Sequence, residues 1–424
     1  MRWSWFALVL LLTGSPVGAG TFVVRPDGSG DYPTIQAAIA AAGTGDVVEL
    51  TDGTFSGDGN RDLDFLGKAI VVRSASGDPE TCLLDCGGSV TEPHRGFRFH
   101  LGEPPDAEVT GISITGGCIA DEPYGGAILC EAAASPTVRG CVFYGNQDGA
   151  LVCLTDTAPT VLDCCFRQNC GYRYGAIYCD FATITITRCR FVQNGSHQIG
   201  GALYSYATNT TISECTFTGN SAAWSGALEL IAGNAYTVRD CLFEGNSANE
   251  YGAVHVFMSI ATIERCTFAR NSATGFGGAL GTGKSSHTRI ANCTFWGNGS
   301  PSGTLLLSDG GTTMENCIIA ANPEGPSMCV DGDADLSCCD IWGNAGGDWV
   351  PGIAGQYGIR GNICEDPQFC DPENGDFTLS ESSPCAPFSP PNPECDLIGA
   401  WPVDCAGTPV VPASWGGIKA LFRP

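Results

Sequence analysis

A repeat of about 25 residues dominates this sequence and leaves few folds open to it. Most copies follow the form T-h-x-x-C-x-F-x-x-N, in which h is aliphatic. The cysteines at the fixed position are Cys141, Cys164, Cys189, Cys215, Cys241, Cys266, Cys293, Cys317 and Cys339. Phe or Ile stands two places after each of them, and Asn stands three places further on. A period this regular indicates one structural unit used again and again.

A second signature, Gly-Ala followed by Ile, Leu or Val, comes after the Asn of most copies. Within each copy aliphatic residues alternate with polar ones, which is the period of a β-strand rather than of a helix. Short strands at a fixed period cannot bury a face alone, so successive coils must stack and pair in parallel. Parallel crossovers of this kind are right-handed. The sequence therefore predicts an all-β fold, a right-handed parallel β-helix with a short N-terminal capping helix.

The repeat divides the chain into segments. Residues 1–19 combine Arg2, an apolar run and a small-residue cleavage site, the pattern of a signal peptide. Residues 20–66 form the N-terminal cap, where Pro33 and Gly43 bracket a helix that turns Ile35, Ala38 and Ile39 inward. The predicted β-helix spans residues 67–363. A Cys-rich, cross-linked C-terminal cap follows over 364–406, and residues 407–424 are a linker and a short amphipathic tail.

The charge of the chain limits its partners. Its 45 acidic and 20 basic residues give a net charge of −25, which would repel nucleic acid, anionic membranes and polyanionic substrates such as pectate. After the leader, no apolar run reaches the roughly 18 residues of a membrane span. We therefore expect a secreted, extracellular or cell-surface protein, with no transmembrane span in the mature chain and a monomeric state.

The repeated Cys, Phe and Asn positions are interpreted as structure. The Cys has the same strand parity as the following Phe, so both should point inward, and a stack of buried thiols is favoured over disulfides or a metal site. Asn tolerates a left-handed turn conformation, and its amide can bond backbone groups of the neighbouring coils. We call the columns that these repeated Cys, Phe and Asn residues form in the stacked coils the ladders. The ladders are therefore expected to hold the fold together and to take no part in binding.

Asp331, Asp333 and Asp335 alternate as at the start of a calcium-binding loop. An EF-hand loop needs Gly at its sixth and Glu at its twelfth position, where this chain has Leu336 and Trp342. A solvated acidic turn is the favoured interpretation and Ca²⁺ the alternative. No other cofactor is expected.

The outward positions of the strand after Gly-Ala carry the candidate binding residues. They are Tyr178, Asp180, Tyr204, Tyr206, Glu229 and His255. Adjacent coils should bring Glu229 close enough to meet His255. Exposed aromatics with carboxylates between them could hold a sugar chain, and a Glu–His pair could do acid–base chemistry. The structural alternative is a sheet face that favours aromatics because strands do.

Parts of this chain resemble three groups of proteins. The F-x-x-N and G-G-A-[ILV] elements, over about residues 110–345, resemble the repeats of chlamydial polymorphic outer membrane proteins, which are β-helical surface proteins and adhesins. The stretch Asp27-Gly28-Ser29-Gly30-Asp31-Tyr32, with Thr34 to Ile39, resembles the N-terminal cap of the pectin lyase-like superfamily. Asp366-Pro367-Gln368-Phe369 is similar to the closing coil of secreted bacterial right-handed β-helix repeat proteins. These resemblances imply the fold and export.

No catalytic motif of pectinesterases, polygalacturonases or pectate lyases can be matched to this sequence, so the resemblance assigns no active-site residue. The favoured hypothesis is a non-catalytic β-helix that acts in adhesion or contact with a polysaccharide or cell-surface glycan. The alternative is a polysaccharide-active enzyme, a lyase or hydrolase, with its site on the outward face from Tyr178 to His255. A purely structural spacer is the third possibility.

Overall fold

The computed structural model describes residues 19–119 and 125–405, and these form a parallel β-helix with three faces. Face 1 follows the Gly-Ala signatures. Its strands are Leu63–Asp64, Phe97–Phe99, Ile128–Cys130, Leu151–Cys153, Ile177–Asp180, Leu203–Tyr206, Leu228–Ile231, Val254–Phe257 and Leu280–Thr282. The predicted all-β parallel β-helix is therefore confirmed.

Face 2 comes next in each coil. Its strands are Thr21–Val24, Val47–Leu50, Val71–Ser74, Glu108–Thr110, Thr137–Arg139, Thr160–Leu162, Thr183–Thr187, Asn209–Ser213, Tyr236–Arg239, Ile260–Glu264 and Ser286–Ala291. The long strands Leu305–Glu315 and Met328–Ser337 run through faces 1 and 2 without a break.

Face 3 follows the repeated Cys, and its 12 strands count the coils. They are Gly53–Ser56, Cys82–Asp85, Ser113–Thr115, Val142–Tyr144, Cys165–Arg167, Arg190–Val192, Thr216–Thr218, Leu242–Glu244, Thr267–Ala269, Thr294–Trp296, Ile318–Ala320 and Asp340–Trp342. A narrow corner strip then leads back to face 1. Its strands are Cys170–Gly171, Gly195–Ser196, Ser221–Ala222, Ser247–Ala248 and Ser272–Ala273.

A column of aromatic rings fills the core behind face 3. The phenylalanines Phe143, Phe166, Phe191, Phe217, Phe243, Phe268 and Phe295 are fully buried. Neighbouring ring centroids lie 4.6 to 4.9 Å apart and the rings are nearly parallel. This spacing equals the separation of adjacent strands in a sheet. The strand pairing thus fixes the stacking, and each ring shields the next from water.

The Asn ladder bonds the coils to one another as predicted. The Oδ1 atom of Asn220 accepts hydrogen bonds from the backbone N and the Nδ2 atom of Asn194, both at 3.0 Å. Its Nδ2 atom donates to the Phe191 carbonyl and to Asn246 Oδ1. The left-handed conformation does not fall on the Asn itself, however, so its predicted position is wrong. Positive φ falls on the residue before each Asn, for example Gly219 with φ of 64° and Gln193 with φ of 52°.

The nine repeated cysteines are buried and carry free thiols. They form a column at the corner between faces 2 and 3, where the backbone N of one Cys points at the sulfur of the next: Cys141 N lies 3.4 Å from Cys164 Sγ. Burial raises the pKa of the Cys141, Cys164 and Cys189 thiols well above the ordinary value. These three thiols therefore stay protonated and unreactive in the folded protein.

The N-terminal end is closed by the helix Ile35–Ala41. Thr34 caps it, because its hydroxyl accepts a hydrogen bond from Ala37 N. Ile35, Ala38 and Ile39 are fully buried and join the core, as the sequence predicted.

The other end of the column is closed by residues 349–356, which lie inside the range 67–363 predicted for the β-helix itself. Ile353, just before the 3₁₀ turn Ala354–Gln356, is buried in the main core, and Trp349 and Val350 pack beside it.

The Cys-rich segment over 364–405 lies along the outside of face 3 and is tied down by disulfides. Its strands Phe369–Asp371 and Asp376–Leu379, with the 3₁₀ turn Pro372–Asn374 between them, form an antiparallel hairpin. Phe377 packs on Ala269 and Trp296. The disulfide Cys338–Cys395 joins the segment to the last coils of the β-helix. A second disulfide, Cys370–Cys405, joins the hairpin to the C-terminal end of the segment. Cys364 and Cys385 carry free thiols.

The predicted signal peptide, apart from Ala19, and the predicted tail over 407–424 lie outside the described residues. Within 19–119 and 125–405, no helix is long and apolar enough to cross a membrane.

Candidate functional site

The outward column of face 1 has the register that the sequence predicted. Tyr178 pairs with Tyr204, Tyr204 with Glu229, and Glu229 with His255. Asp180 pairs with Tyr206 in the next outward column. Parallel strands place such partners one above the other at about 4.8 Å. The six candidate residues therefore lie together on one face, across four coils.

The tyrosines form a partly exposed aromatic cluster. The ring of Tyr174, from the turn before face 1, stacks on Tyr178 with centroids 4.0 Å apart and also contacts Tyr204 at 5.0 Å. Phe181 packs edge-on against Tyr206. Burial raises the pKa of Tyr178 and Tyr204 far above the ordinary value. Their hydroxyls therefore remain neutral, and they suit hydrogen bonding rather than acid–base chemistry at physiological pH.

Glu229 and His255 meet as predicted, but they are not displayed. His255 Nδ1 lies 2.7 Å from Glu229 Oε1, and the hydroxyl of Ser225 donates to Glu229 Oε2. Only 2% of Glu229 and 4% of His255 is exposed. The expectation that both residues stand on an open surface is therefore wrong.

The cover over this pair comes from Tyr251. Its ring stacks on the imidazole of His255, with centroids 3.9 Å apart and planes 8° from parallel. The next coil carries Gly281 and Gly283 at the outward positions, and a Cβ atom on Gly281 would stand 2.3 Å from a Tyr251 ring carbon. The glycines thus leave room for the aromatic cover.

The Ser225, Glu229 and His255 cluster does not have the geometry of a nucleophilic triad. A triad needs the imidazole to take the proton of the serine hydroxyl. Here both Ser225 and His255 bond to the carboxylate that lies between them. His255 Nε2 is buried and has no hydrogen-bond partner among residues 19–119 and 125–405. The three side chains of the cluster are almost fully buried and bond to one another, so they stabilise the outer layer of face 1.

Three exposed aromatics that the sequence analysis missed border this face. Tyr172 is 64% exposed, Trp224 49% and Phe276 44%. Each lies in the turn just before a Gly-Ala signature, on alternate coils. We call these three residues the rim. The signal was present in the sequence as a large aromatic two or three places before Gly175, Gly226 and Gly278, but the turns do not share a fixed length.

A groove lies on the other side of the rim, along the corner strip. Its volume is about 520 Å³, and its lining includes Ser221, Ser247 and Ser272, which stack in register. Glu324 lines it as well. The rim turns connect the corner strip to face 1, so the rim stands between the serine-lined groove and the tyrosine cluster.

The family is decided by the repeat region. Residues 67–225 and 200–363, together more than half of the chain, match the family model described as right handed beta helix region. The chain belongs to this right-handed β-helix family. The handedness that the sequence predicted is thereby confirmed. No curated protein matches the chain in sequence.

Several solved structures of this right-handed β-helix type are similar to the chain. A PL6 family alginate lyase, AlyGC, has a TM-score of 0.49 at 11% identity, covering 94% of this chain and 58% of that chain. A rhamnogalacturonan lyase has a TM-score of 0.40 at 9% identity over 76% of this chain and 87% of its own. Pectate lyase Pel9A has a TM-score of 0.38 at 13% identity over 91% and 97%. These similarities are of fold and assign no residue a role.

The three candidate calcium ligands, Asp331, Asp333 and Asp335, follow one another along a single strand of the β-helix. Asp331 pairs with Ser308, Asp333 with Gly311 and Asp335 with Thr313 along one extended strand, and Asp335 forms an ion pair with Arg360. In the part of the chain that the structure describes, no cluster of three His, Cys, Asp or Glu side chains could hold a metal ion.

Proposed function

We propose that this protein is exported and binds a polysaccharide or cell-surface glycan without cleaving it, in the secreted state or at the cell surface. The observation that carries the proposal is the rim, with Tyr172, Trp224 and Phe276 exposed in the same turn of alternate coils. Several exposed aromatics on one side of a protein mark a binding surface more often than a single exposed one does. The C–H face of a sugar ring is apolar and stacks on an aromatic face, while its hydroxyls need polar partners.

Both kinds of partner stand beside the rim. Three serines, Ser221, Ser247 and Ser272, are exposed along the groove. On face 1, Tyr178 and Tyr204 carry neutral hydroxyls that can form hydrogen bonds. A glycan chain along the rim could therefore stack its rings and still satisfy its hydroxyls. Adhesion to a glycan-coated surface, as the similarity to polymorphic outer membrane repeats implies, would use the same rim.

Cleavage is the second candidate, and the Glu229–His255 pair is the observation that favours it. A general acid or base must come within hydrogen-bond reach of the bond that is broken. Both side chains are almost fully buried under Tyr251, so cleavage would require that ring to move away. This requirement makes binding without cleavage the better-supported proposal.

The test is retention on a panel of polysaccharides, with new reducing or unsaturated ends measured in the same samples. Trp224→Ala should weaken retention on the retained polysaccharide about tenfold, since Trp224 is the rim residue on the middle one of the three coils. Phe388→Ala is the matched control, because Phe388 is an exposed aromatic, at 63%, in the Cys-rich segment. It should leave retention unchanged.

The readouts separate the candidates. Retention without new chain ends supports the proposal. New chain ends that disappear in His255→Leu would replace it with the enzyme hypothesis. No retention on any member of the panel, or equal retention by wild type and Trp224→Ala, would remove the rim as a glycan site.

A further inference from the structure

We propose that Asp340 is a pH-dependent latch between the β-helix and the Cys-rich segment. Two short stretches of that segment, 365–367 and 383–385, contact this residue, and we call them the latch strip. The latch strip packs closely on the last coil while the Asp340 carboxyl is protonated, and it opens when the carboxyl ionises. This inference goes beyond the proposed function and does not depend on the rim.

The Asp340 carboxyl lies where the β-helix and the latch strip meet. Asp340 begins the last strand of face 3, Asp340–Trp342, and it is fully buried. Its Oδ1 atom accepts a hydrogen bond from Glu365 N at 3.1 Å, and its Oδ2 atom accepts one from Cys385 Sγ at 3.2 Å. The two stretches are also joined to each other, because the Ser383 hydroxyl donates to the Pro367 carbonyl at 2.6 Å. One carboxyl group thus bonds both halves of the latch strip to the β-helix.

The surroundings of Asp340 disfavour its charged form. A buried carboxylate is costly unless a cation pairs with it, and within residues 19–119 and 125–405 Asp340 forms no ion pair. The neighbouring strand Ile318–Ala320 carries no ionisable side chain. The ionisable groups around Asp340 and its partner Cys385 are all acids or thiols, namely Cys364, Glu365, Asp366 and Cys385 of the segment and Asp348 beside the residues that close the column. Burial therefore raises the pKa of Asp340 to about 7, although its two hydrogen bonds act in the opposite direction.

The direction of the pH effect follows from this shift. Opening returns the Asp340 carboxyl to water, where an Asp has a pKa of about 3.9. Between this value and about 7 the packed form holds a proton that the open form has lost, so packing weakens as the pH rises through this range. Below the range both forms are protonated and packing is tightest. Above it both forms are ionised and the weakening is complete.

The opening is local, because the rest of the segment is anchored elsewhere. The disulfide Cys338–Cys395 holds it to the last coils, and Phe377 packs on Trp296. The group that opening exposes is the Cys385 thiol, which is fully buried in the packed form. Burial raises the pKa of this thiol well above its ordinary value, so it remains a hydrogen-bond donor to Asp340. Cys385 therefore reports directly on the state of the latch strip.

The experiment is hydrogen exchange of the full chain with its disulfides intact, read by mass spectrometry at pH 5 to 8 and corrected for the chemical exchange rate. Exchange of the peptide that contains the Glu365 amide should rise about tenfold or more over this range in wild type. Asp340→Asn is uncharged at every pH and can form both hydrogen bonds, so its exchange should not change with pH. Asp333→Asn is the matched control, because Asp333 is an exposed acid on the strand Met328–Ser337, and it should keep the wild-type rise.

Labelling of Cys385 with a thiol reagent is the second readout. Comparing wild type with Asp340→Asn at each pH cancels the intrinsic reactivity of the thiol, and the ratio of the two rates should rise about tenfold or more from pH 5 to 8. Exchange in wild type that stays constant over this range would overturn the inference even if Asp340→Asn did not fold. The same pH dependence in wild type and in a folded Asp340→Asn would overturn it as well. Either result would leave the proposed glycan binding standing.

Discussion

Replacing Asn220 by alanine should lower the free energy of unfolding by about 3–5 kcal/mol. The side chain is fully buried and joins three coils, through the backbone N and Nδ2 of Asn194, the Phe191 carbonyl and Asn246 Oδ1. Alanine takes one hydrogen bond from each of these four groups in a place that water does not reach, although Asn246 Oδ1 keeps its bond from the backbone N of residue 220 and Asn194 Nδ2 keeps its bond to the Phe166 carbonyl. An unsatisfied buried polar group costs about 1–3 kcal/mol.

Urea unfolding followed by circular dichroism measures this loss. Asn209→Ala is the matched control, because Asn209 is an exposed residue in the preceding face 2 strand, and its substitution should change stability by less than about 0.5 kcal/mol. Because a solenoid is held by contacts between neighbouring coils, the variant should also unfold less cooperatively than wild type. Equal stability of the two variants would show that the ladder does not hold the coils together.

The buried Glu229–His255 pair should produce the second large effect. His255→Leu leaves the Glu229 carboxylate buried with Ser225 as its remaining partner, and we expect a loss of about 3–5 kcal/mol of stability. Leucine at both positions removes the uncompensated charge together with its partner. The double variant should therefore recover much of that loss.

A double-mutant cycle with Glu229→Leu, His255→Leu and the double variant measures the coupling, for which we expect about 2–3 kcal/mol. The same proteins should still bind glycan, because the rim is outside the pair. Additive losses would contradict the structural role of the pair. Loss of all glycan binding in a stable double variant would move the site onto face 1.

The ladders were predictable because every copy of the repeat places its Cys, Phe and Asn at the same distance from one another and therefore on the same side of the strand. Phe217 and Asn220 each recur at a fixed place, so stacking one coil on the next assigns them to the core and the turn without further information. The left-handed conformation was misplaced because Asn adopts it more readily than most residues, whereas in the structure it falls on the preceding residue, which is Gly in some copies and Gln, Arg or Ala in others. Only the hydrogen bonds of the Asn amide to two neighbouring coils decide between them.

The cover over face 1 was harder to predict, because it comes from turns that differ from copy to copy. The register of Glu229 and His255 followed from the repeat, but their burial depends on Tyr251, whose ring position no periodicity fixes. Two outward glycines, Gly281 and Gly283, were the available signal that a neighbouring ring needs space.

The place of the Cys-rich segment also had a signal in the sequence. Face 3 turns Trp296, Ile318 and Ala320 outward in its last coils, and an outward apolar patch of this kind calls for a cover. The segment itself does not repeat, so the sequence assigned it to the end of the column rather than to this side.

We propose that binding depends on the irregular rim, while the regular ladders only build the scaffold. The most direct test is the dissociation constant of the Tyr172→Ala/Trp224→Ala/Phe276→Ala variant for the glycan that wild type binds. We predict a loss of about 100-fold or more, with the Tm within about 2 °C of wild type. An unchanged dissociation constant in this folded variant would contradict the account.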